Sequence, residues 1–289
     1  MMSLEIFWDE YKNVAVDEKQ RNVLIRDIPQ KWLLRICEYM VEHSFRPNRI
    51  FQHLGILDIP NVVDNYRRIV MHLLRDECSL MVIDVNTEEI LGVALVKLMT
   101  KEWRSWISWL QLLDMTSLYG EFMLLQRMLV LKYDNENSEH HIDSLHLFEY
   151  YLKPELSNDN IFMSKFFNSI CTTARHMLMS RVSFIAVTLK EQQQAELFNF
   201  ETLTFLIYSL VEHQGVRPFQ SLRDIDEMYL ILYERQVKPL TPFYRMPPPD
   251  AYDEADRLKH EPHTALKDNT DDESVNSELH RPVVSTPLK

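Results

Sequence analysis

The sequence predicts an α/β protein built on a central, mostly antiparallel mixed sheet flanked by helices. Three observations predict it. Apolar residues recur at helical spacing in two stretches of the N-terminal third, two β-rich runs flank a short polar turn, and strand-like and helix-like segments alternate after about residue 142. With 289 residues, 46% of them hydrophobic, the chain has material for one domain of roughly 200 to 250 residues plus a tail.

Residues 1–21 read as an N-terminal extension. Its "MMSLEIFWDEYK" carries charges where a signal peptide needs an apolar run, so secretion is not expected. Asn22 to Arg26 (NVLIR) is the first strand candidate. Asp27 and Pro29 then mark a helix start, and Trp32, Leu33, Ile36, Cys37, Met40 and Val41 form its apolar stripe. A second helix follows Pro60, with Val62, Val63, Tyr66, Ile69, Val70, Leu73 and Leu74 on one side. Ser79–Val85 and Ile90–Leu98 make an antiparallel hairpin, in which Gly92 marks a bulge or a close backbone approach. Ser105 to Lys132 is apolar and helical, broken near Ser117 to Gly120, and carries a Trp103, Trp106, Trp109 stripe that fits a core better than a cofactor box. Then come a strand from about Ile142 to Leu152, a turn, a helix from about Asn160 to Met179, the strand "RVSFIAVTL", the helical "KEQQQAELFN", a strand near Leu203 to Val211 and a closing strand "DEMYLILYER". The domain therefore spans 22–238. Residues 239–289 hold prolines, acidic runs and few large apolar residues, the composition of a disordered tail.

A net charge of -12 argues against nucleic acid or an anionic membrane as partner, since neither attracts an acidic chain without a local basic patch. Arg67, Arg68, His72 and Arg75 read as a solvated helix face. Cys37, Cys78 and Cys171 are odd in number and set in apolar patterns, so reduced core residues and a cytoplasmic setting are expected. Trp106 to Val130 is interrupted by Asp114, Glu121 and Arg127 and is not a membrane span. His140, His141, His146 and Glu149 lie close in sequence, but strand alternation divides them between two faces, so no metal site is expected. No G-x-S-x-G, Walker loop, H-E-x-x-H or paired C-x-x-C occurs.

The order of elements resembles the GNAT acetyltransferase superfamily. "SLMVIDVNTEEILGVALVK" and "LHLFEYYLKPELSNDNIF" look most like the insect arylalkylamine N-acetyltransferase type, over roughly Asn22 to Arg235. Asp84, Thr87, Ile90, Gly92 and Val93 match that type's D-x-x-T-x-x-I-x-G-V turn. The resemblance implies acetyl transfer from acetyl-CoA to a small amine. It places the donor along Phe148 and Tyr150, with backbone there facing the developing oxyanion, and along Ser157, Asn158 and Asn160.

The sequence departs from the family at three places. The family's R-G-x-G-x-G/A loop, which holds the pyrophosphate, is replaced by Ser157, Asn158, Asp159 and Asn160, with no glycine or arginine; Asp159 brings negative charge and Asn158 or Asp159 can cap the next helix. The acidic F-x-D-E-P-L segment becomes "FRPNRIF", where Asn48 and Arg49 offer no base. The L-G-F motif becomes Phe198, Asn199 and Phe200, and the hydroxyl residues usual just before it are reduced to Thr188; Tyr208 can serve as a proton donor if it faces the site. The expectation is therefore a GNAT-like protein with a degenerate acetyl-CoA loop, weak or absent donor binding and an activity weak or lost. The alternative is a non-catalytic module on the same fold that engages a protein partner.

Overall fold

The computed structural model describes residues 7–99, 110–136, 143–213 and 215–238. The tryptophan stripe, His140, His141 and the 239–289 tail lie outside the described residues.

The chain opens with a hairpin, β1 (Phe7–Val16) and β2 (Lys19–Asp27). The first strand is thus not the one expected at Asn22, and residues 7–16 of the expected extension belong to the sheet. The turn explains why the sequence hid it: Asp17 and Glu18 both take positive φ, 49° and 62°, with none of the Asn-Gly chemistry that normally announces such a turn. The helix expected after Pro29 is present as a 3-10 turn, Gln30–Trp32, followed by α1 (Leu33–Met40) and a π-helical turn, Val41–Phe45. Asn48 then caps α2 (Arg49–His53), its side-chain oxygen accepting from Ile50 and Phe51 N–H, and α3 (Val62–Leu73) follows.

The expected hairpin is β3 (Leu80–Asp84) and β4 (Ile90–Met99). After the turn at Asp114 to Ser117 comes α4 (Leu118–Glu136), so Gly120 lies inside a helix rather than at its break. The remaining elements are β5 (Ser144–Leu152), α5 (Pro154–Ser157), α6 (Asn160–His176), β6 (Arg181–Ala186), α7 (Leu189–Leu197), β7 (Glu201–Ile207) and β8 (Tyr229–Gln236).

These strands form one eight-stranded sheet in the order β1-β2-β3-β4-β5-β6-β8-β7. Every pairing is antiparallel except β5 with β6. Both faces are covered, which is why β3 is buried along its whole length. Met81, Ile83, Val93 and Leu95 join the core under α1 to α4; Leu80, Val82, Ala94 and Val96 join the core under α6 and α7. On α6, Phe162, Met163, Phe166, Phe167, Ile170 and Ala174 recur at helical spacing and are fully buried.

Gly92 is a close approach, as expected. A Cβ there would meet Leu152 Cδ2 at 2.3 Å and the Tyr151 carbonyl oxygen at 2.8 Å. An ion-pair network fixes the same end of β5: Arg21 pairs with Asp17, Asp84 and Glu89, and Lys153 with Asp17 at 2.6 Å and Glu89 at 2.7 Å. Gly92→Ala is expected to cost about 1–3 kcal/mol by overpacking against backbone, read as a lower midpoint in urea without a change of slope.

Candidate functional site

The strand β5 pairs with β6 only from Leu145↔Val182 to Leu147↔Phe184. Beyond that point the two strands part. A register shift on the other side of β5, between Leu95 and Val96, leaves Phe148 as an extra residue, and a bulge re-aims the side chains that follow. Glu149 and Tyr151 consequently face α1 and α3, whereas Tyr150 packs on Phe166, Phe167 and Phe184 on the opposite face.

Glu149 is held from both sides. Ser44, on the π-helical turn, donates its hydroxyl to Oε1, and Tyr66 of α3 donates to Oε2 at 2.9 Å. π-helical turns are rare and concentrate at functional sites; this one aims Ser44 and also sets His43 against Tyr151, ring centroids 5.5 Å apart. A cavity of about 60 Å³ lies beside Glu149, between the parted strands. Its walls are Phe51, Tyr66, Tyr119, Phe122 and Phe148, and a second carboxylate, Glu191, faces it from the first turn of α7. Glu191 is fixed by a capping box: its Oε2 accepts the Val187 and Thr188 N–H groups at 2.9 Å each, while Thr188 Oγ1 accepts the Glu191 N–H. Burial pushes both carboxyls up. For Glu149 the hydrogen bonds from Ser44 and Tyr66 oppose that rise; for Glu191 burial, against its backbone bonds and helped by the Glu149 charge, brings the group to about 7.

A groove of about 240 Å³ continues outward between the end of β5 and α7. It is bridged: the Tyr150 hydroxyl donates to Gln194 Oε1, Gln194 Nε2 donates to the Ser157 carbonyl at 3.2 Å, and Lys190 donates to Ser157 Oγ at 3.1 Å. At the outer end Asp159 caps α6, its Oδ1 accepting the Ile161 N–H at 2.8 Å and the Phe162 N–H at 3.2 Å. Those are the second and third amides of the helix, among the groups that would meet a phosphate there.

The structure therefore brings Phe148 and Tyr150 to the parted strands and Ser157 to the groove, while Asn158 ends α5 and Asn160 begins α6, both exposed. Tyr208 is fully buried and donates its hydroxyl to the Val187 carbonyl at 3.1 Å, behind the cavity wall. Glu149 and Glu191 were missed as a pair. His146 and Glu149 do not converge: His146 Nδ1 meets Ser183 Oγ at 2.9 Å and burial lowers it to about 3. Among the described residues no group of three His, Cys, Asp or Glu is placed to hold a metal.

This arrangement of sheet, parted strands and flanking helices is the GNAT acetyltransferase fold. Among solved structures the chain is similar to insect arylalkylamine N-acetyltransferase 7 from the yellow fever mosquito Aedes aegypti, at TM-score 0.65 and 12% identity over 81% of this chain and 96% of that one. It is similar to arylalkylamine N-acetyltransferase 2 from Aedes aegypti, at TM-score 0.61 and 14% identity over 75% and 99%. A third likeness is to the C-terminal condensation domain of Ebony in complex with β-alanyl-dopamine, at TM-score 0.57 and 19% identity over 75% and 100%. No protein-family model and no curated protein matches the sequence. With identities this low, the chain is a divergent example of the fold.

A carboxyl raised by burial stabilises the fold below its unfolded value near 4.5 and loses that contribution as pH rises through its folded value, here about 7. Glu191→Gln is therefore expected to match the wild type near pH 4.5 and to exceed it at pH 8 by about 1–3 kcal/mol. Thermal melts of both proteins at the two pH values check this.

Proposed function

We propose that this chain is a divergent GNAT-fold protein whose nominal chemistry is acetyl transfer from acetyl-CoA to a small amine, with a donor site too degraded for tight acetyl-CoA binding. Its activity is then weak or lost. The observation that carries this reading is the Asp159 cap: the Ile161 and Phe162 N–H groups already donate to a carboxylate of the chain itself. A pyrophosphate arriving there would displace Asp159 and still face its charge, with no glycine to allow close approach. The amine half of the reading is supported by a carboxylate-bearing, aromatic cavity at the parted strands. The neighbours that are named amine N-acetyltransferases, and the one bound to β-alanyl-dopamine, an amide of an amine, fit the same class. The acidic composition and buried thiols fit a cytoplasmic setting.

A non-catalytic module that engages a protein partner is the second reading. The bridge from Tyr150 through Gln194 to Ser157 favours it, because the chain's own side chains span the groove and use its hydrogen-bonding groups.

Calorimetry with acetyl-CoA tests the first reading. The wild type is expected to bind in about the high-micromolar to millimolar range, and a variant carrying a glycine- and arginine-containing loop in place of Ser157 to Phe162 is expected to bind at least about tenfold tighter, as freed amides recover an anion. A low-micromolar wild-type dissociation constant contradicts the degraded site. A graft that binds no better favours the second reading.

A further inference from the structure

Glu149 and Glu191 oppose each other across the wedge, the first from β5 and the second from the first turn of α7, and both line the same cavity of about 60 Å³. Among the described residues no lysine, arginine or histidine lines that cavity, so no cation offsets a second negative charge there. Two carboxylates sharing so small and protein-walled a space repel each other far more than they do in water, and one of them then keeps its proton into the neutral range.

The hydrogen bonds distinguish the two. Glu149 accepts on both oxygens, Oε1 from the Ser44 hydroxyl and Oε2 from the Tyr66 hydroxyl, a pattern that suits an ionised carboxylate. Glu191 takes both of its backbone bonds on Oε2, from Val187 and Thr188, which leaves Oε1 to carry a proton while Oε2 remains an acceptor. Glu191 also lines the outer groove, so that proton has a path to water.

The surrounding groups leave the dependence on pH to this pair. Facing Glu191 are Glu149 and Tyr150 of β5 and Tyr208 of the turn after β7. Glu227 stands at the start of α7, its Oε2 accepting the Leu189 N–H at 2.7 Å, and the Arg49 charge acts on it. Facing Glu149 are Ser44, Tyr66, Tyr119 and Glu191. Burial raises all four tyrosine hydroxyls, so they stay neutral through the neutral range. Lys190 is turned outward to Ser157. The bond from Tyr150 to Gln194 spans the same gap between neutral groups and does not change with pH.

We propose that a proton held by Glu191 beside the charged Glu149 latches the wedge between β5 and α7, and that its loss as pH rises loosens the wedge and opens the cavity to water. Below the value of a free carboxyl, Glu191 is neutral in both arrangements. The closed wedge raises that value to about 7, so closure is favoured most at low pH, loses ground as pH rises towards 7 and levels off above it. The device needs no ligand and operates under either reading of the function.

The experiment is nuclear magnetic resonance on the full chain against pH. The side-chain carboxyl carbon of Glu191 reports its charge. Amide hydrogen exchange, expressed as protection relative to an unstructured peptide at the same pH, reports the opening at three places: Lys153, bonded to the Leu91 carbonyl at 2.9 Å, and Val187 and Thr188, bonded to Glu191. In the wild type Glu191 is expected to titrate above pH 6, and protection of the three amides to fall at least about tenfold from pH 5 to pH 8. At pH 8 the Met81 and Val82 amides of β3 are expected to stay at least about tenfold better protected than these three, which separates an opening of the wedge from unfolding of the whole domain. Glu191→Gln keeps an acceptor for the capping box and is expected to remove the fall; Glu149→Gln is expected to lower the Glu191 midpoint by about one unit. Near-ultraviolet circular dichroism confirms native packing, and the two variants lie on different elements, so either decides the point if the other fails to fold. The proposal is overturned if Glu191 is already ionised at pH 5, if protection is the same at pH 5 and pH 8, if β3 exchanges as fast as the wedge, if natively folded Glu191→Gln shows the same fall, or if natively folded Glu149→Gln leaves the Glu191 midpoint in place.

Discussion

The parting of β5 from β6 after Leu147 and Phe184 is the feature from which the rest of the site follows. Strands that stop pairing leave backbone and side chains facing a wedge that must be filled or solvated. Here it is filled from three directions: the π-helical turn and α3 press Ser44 and Tyr66 onto Glu149, α4 brings Gln126, and α7 brings Glu191 with its capping box. The bulge at Phe148 decides which side chains enter, because without the extra residue the alternation would send Glu149 to the opposite face.

The two ends of this wedge differ in what occupies them. The inner end keeps polar, titratable groups around a small space. At the outer end the chain's own groups take up the hydrogen bonds, through Asp159 at the start of α6 and the Tyr150, Gln194 and Ser157 bridge across the groove. A side-chain cap typically stabilises a helix by about 1 kcal/mol. An anion at the same amides would have to outweigh that bond and the repulsion of the displaced carboxylate, so the cap and a tightly held diphosphate are alternatives. The same pair of N–H groups cannot serve both fully.

Much of this was legible in the sequence because it is local. The hairpin of β3 and β4, the stripe of α3, Gly92 as a close approach and the cap before α6 all follow from spacing within a few residues. What stayed hidden is non-local or lacks the usual residue types. β1 was missed because Asp17 and Glu18 adopt positive φ without glycine or asparagine. The π-helical turn at Val41–Phe45 leaves no mark in apolar periodicity. Ser44, Tyr66, Gln126, Glu149 and Glu191 come from five elements, and only the fold assembles them. Glu149 stood out in the sequence only as a residue near histidines, and Glu191 only as part of a polar helix; the one available signal was the T-x-x-E spacing of Thr188 and Glu191, which announces a cap and not a cavity.

The claim at the centre of this account is that the Ile161 and Phe162 amides in the first turn of α6 belong to Asp159. Nuclear magnetic resonance reads those amides directly: the N–H signals of Ile161 and Phe162 are followed while acetyl-CoA is added to the wild-type protein. The account predicts that both stay in place until the nucleotide reaches about the high-micromolar to millimolar range. A saturable displacement of both signals at low-micromolar acetyl-CoA would contradict it.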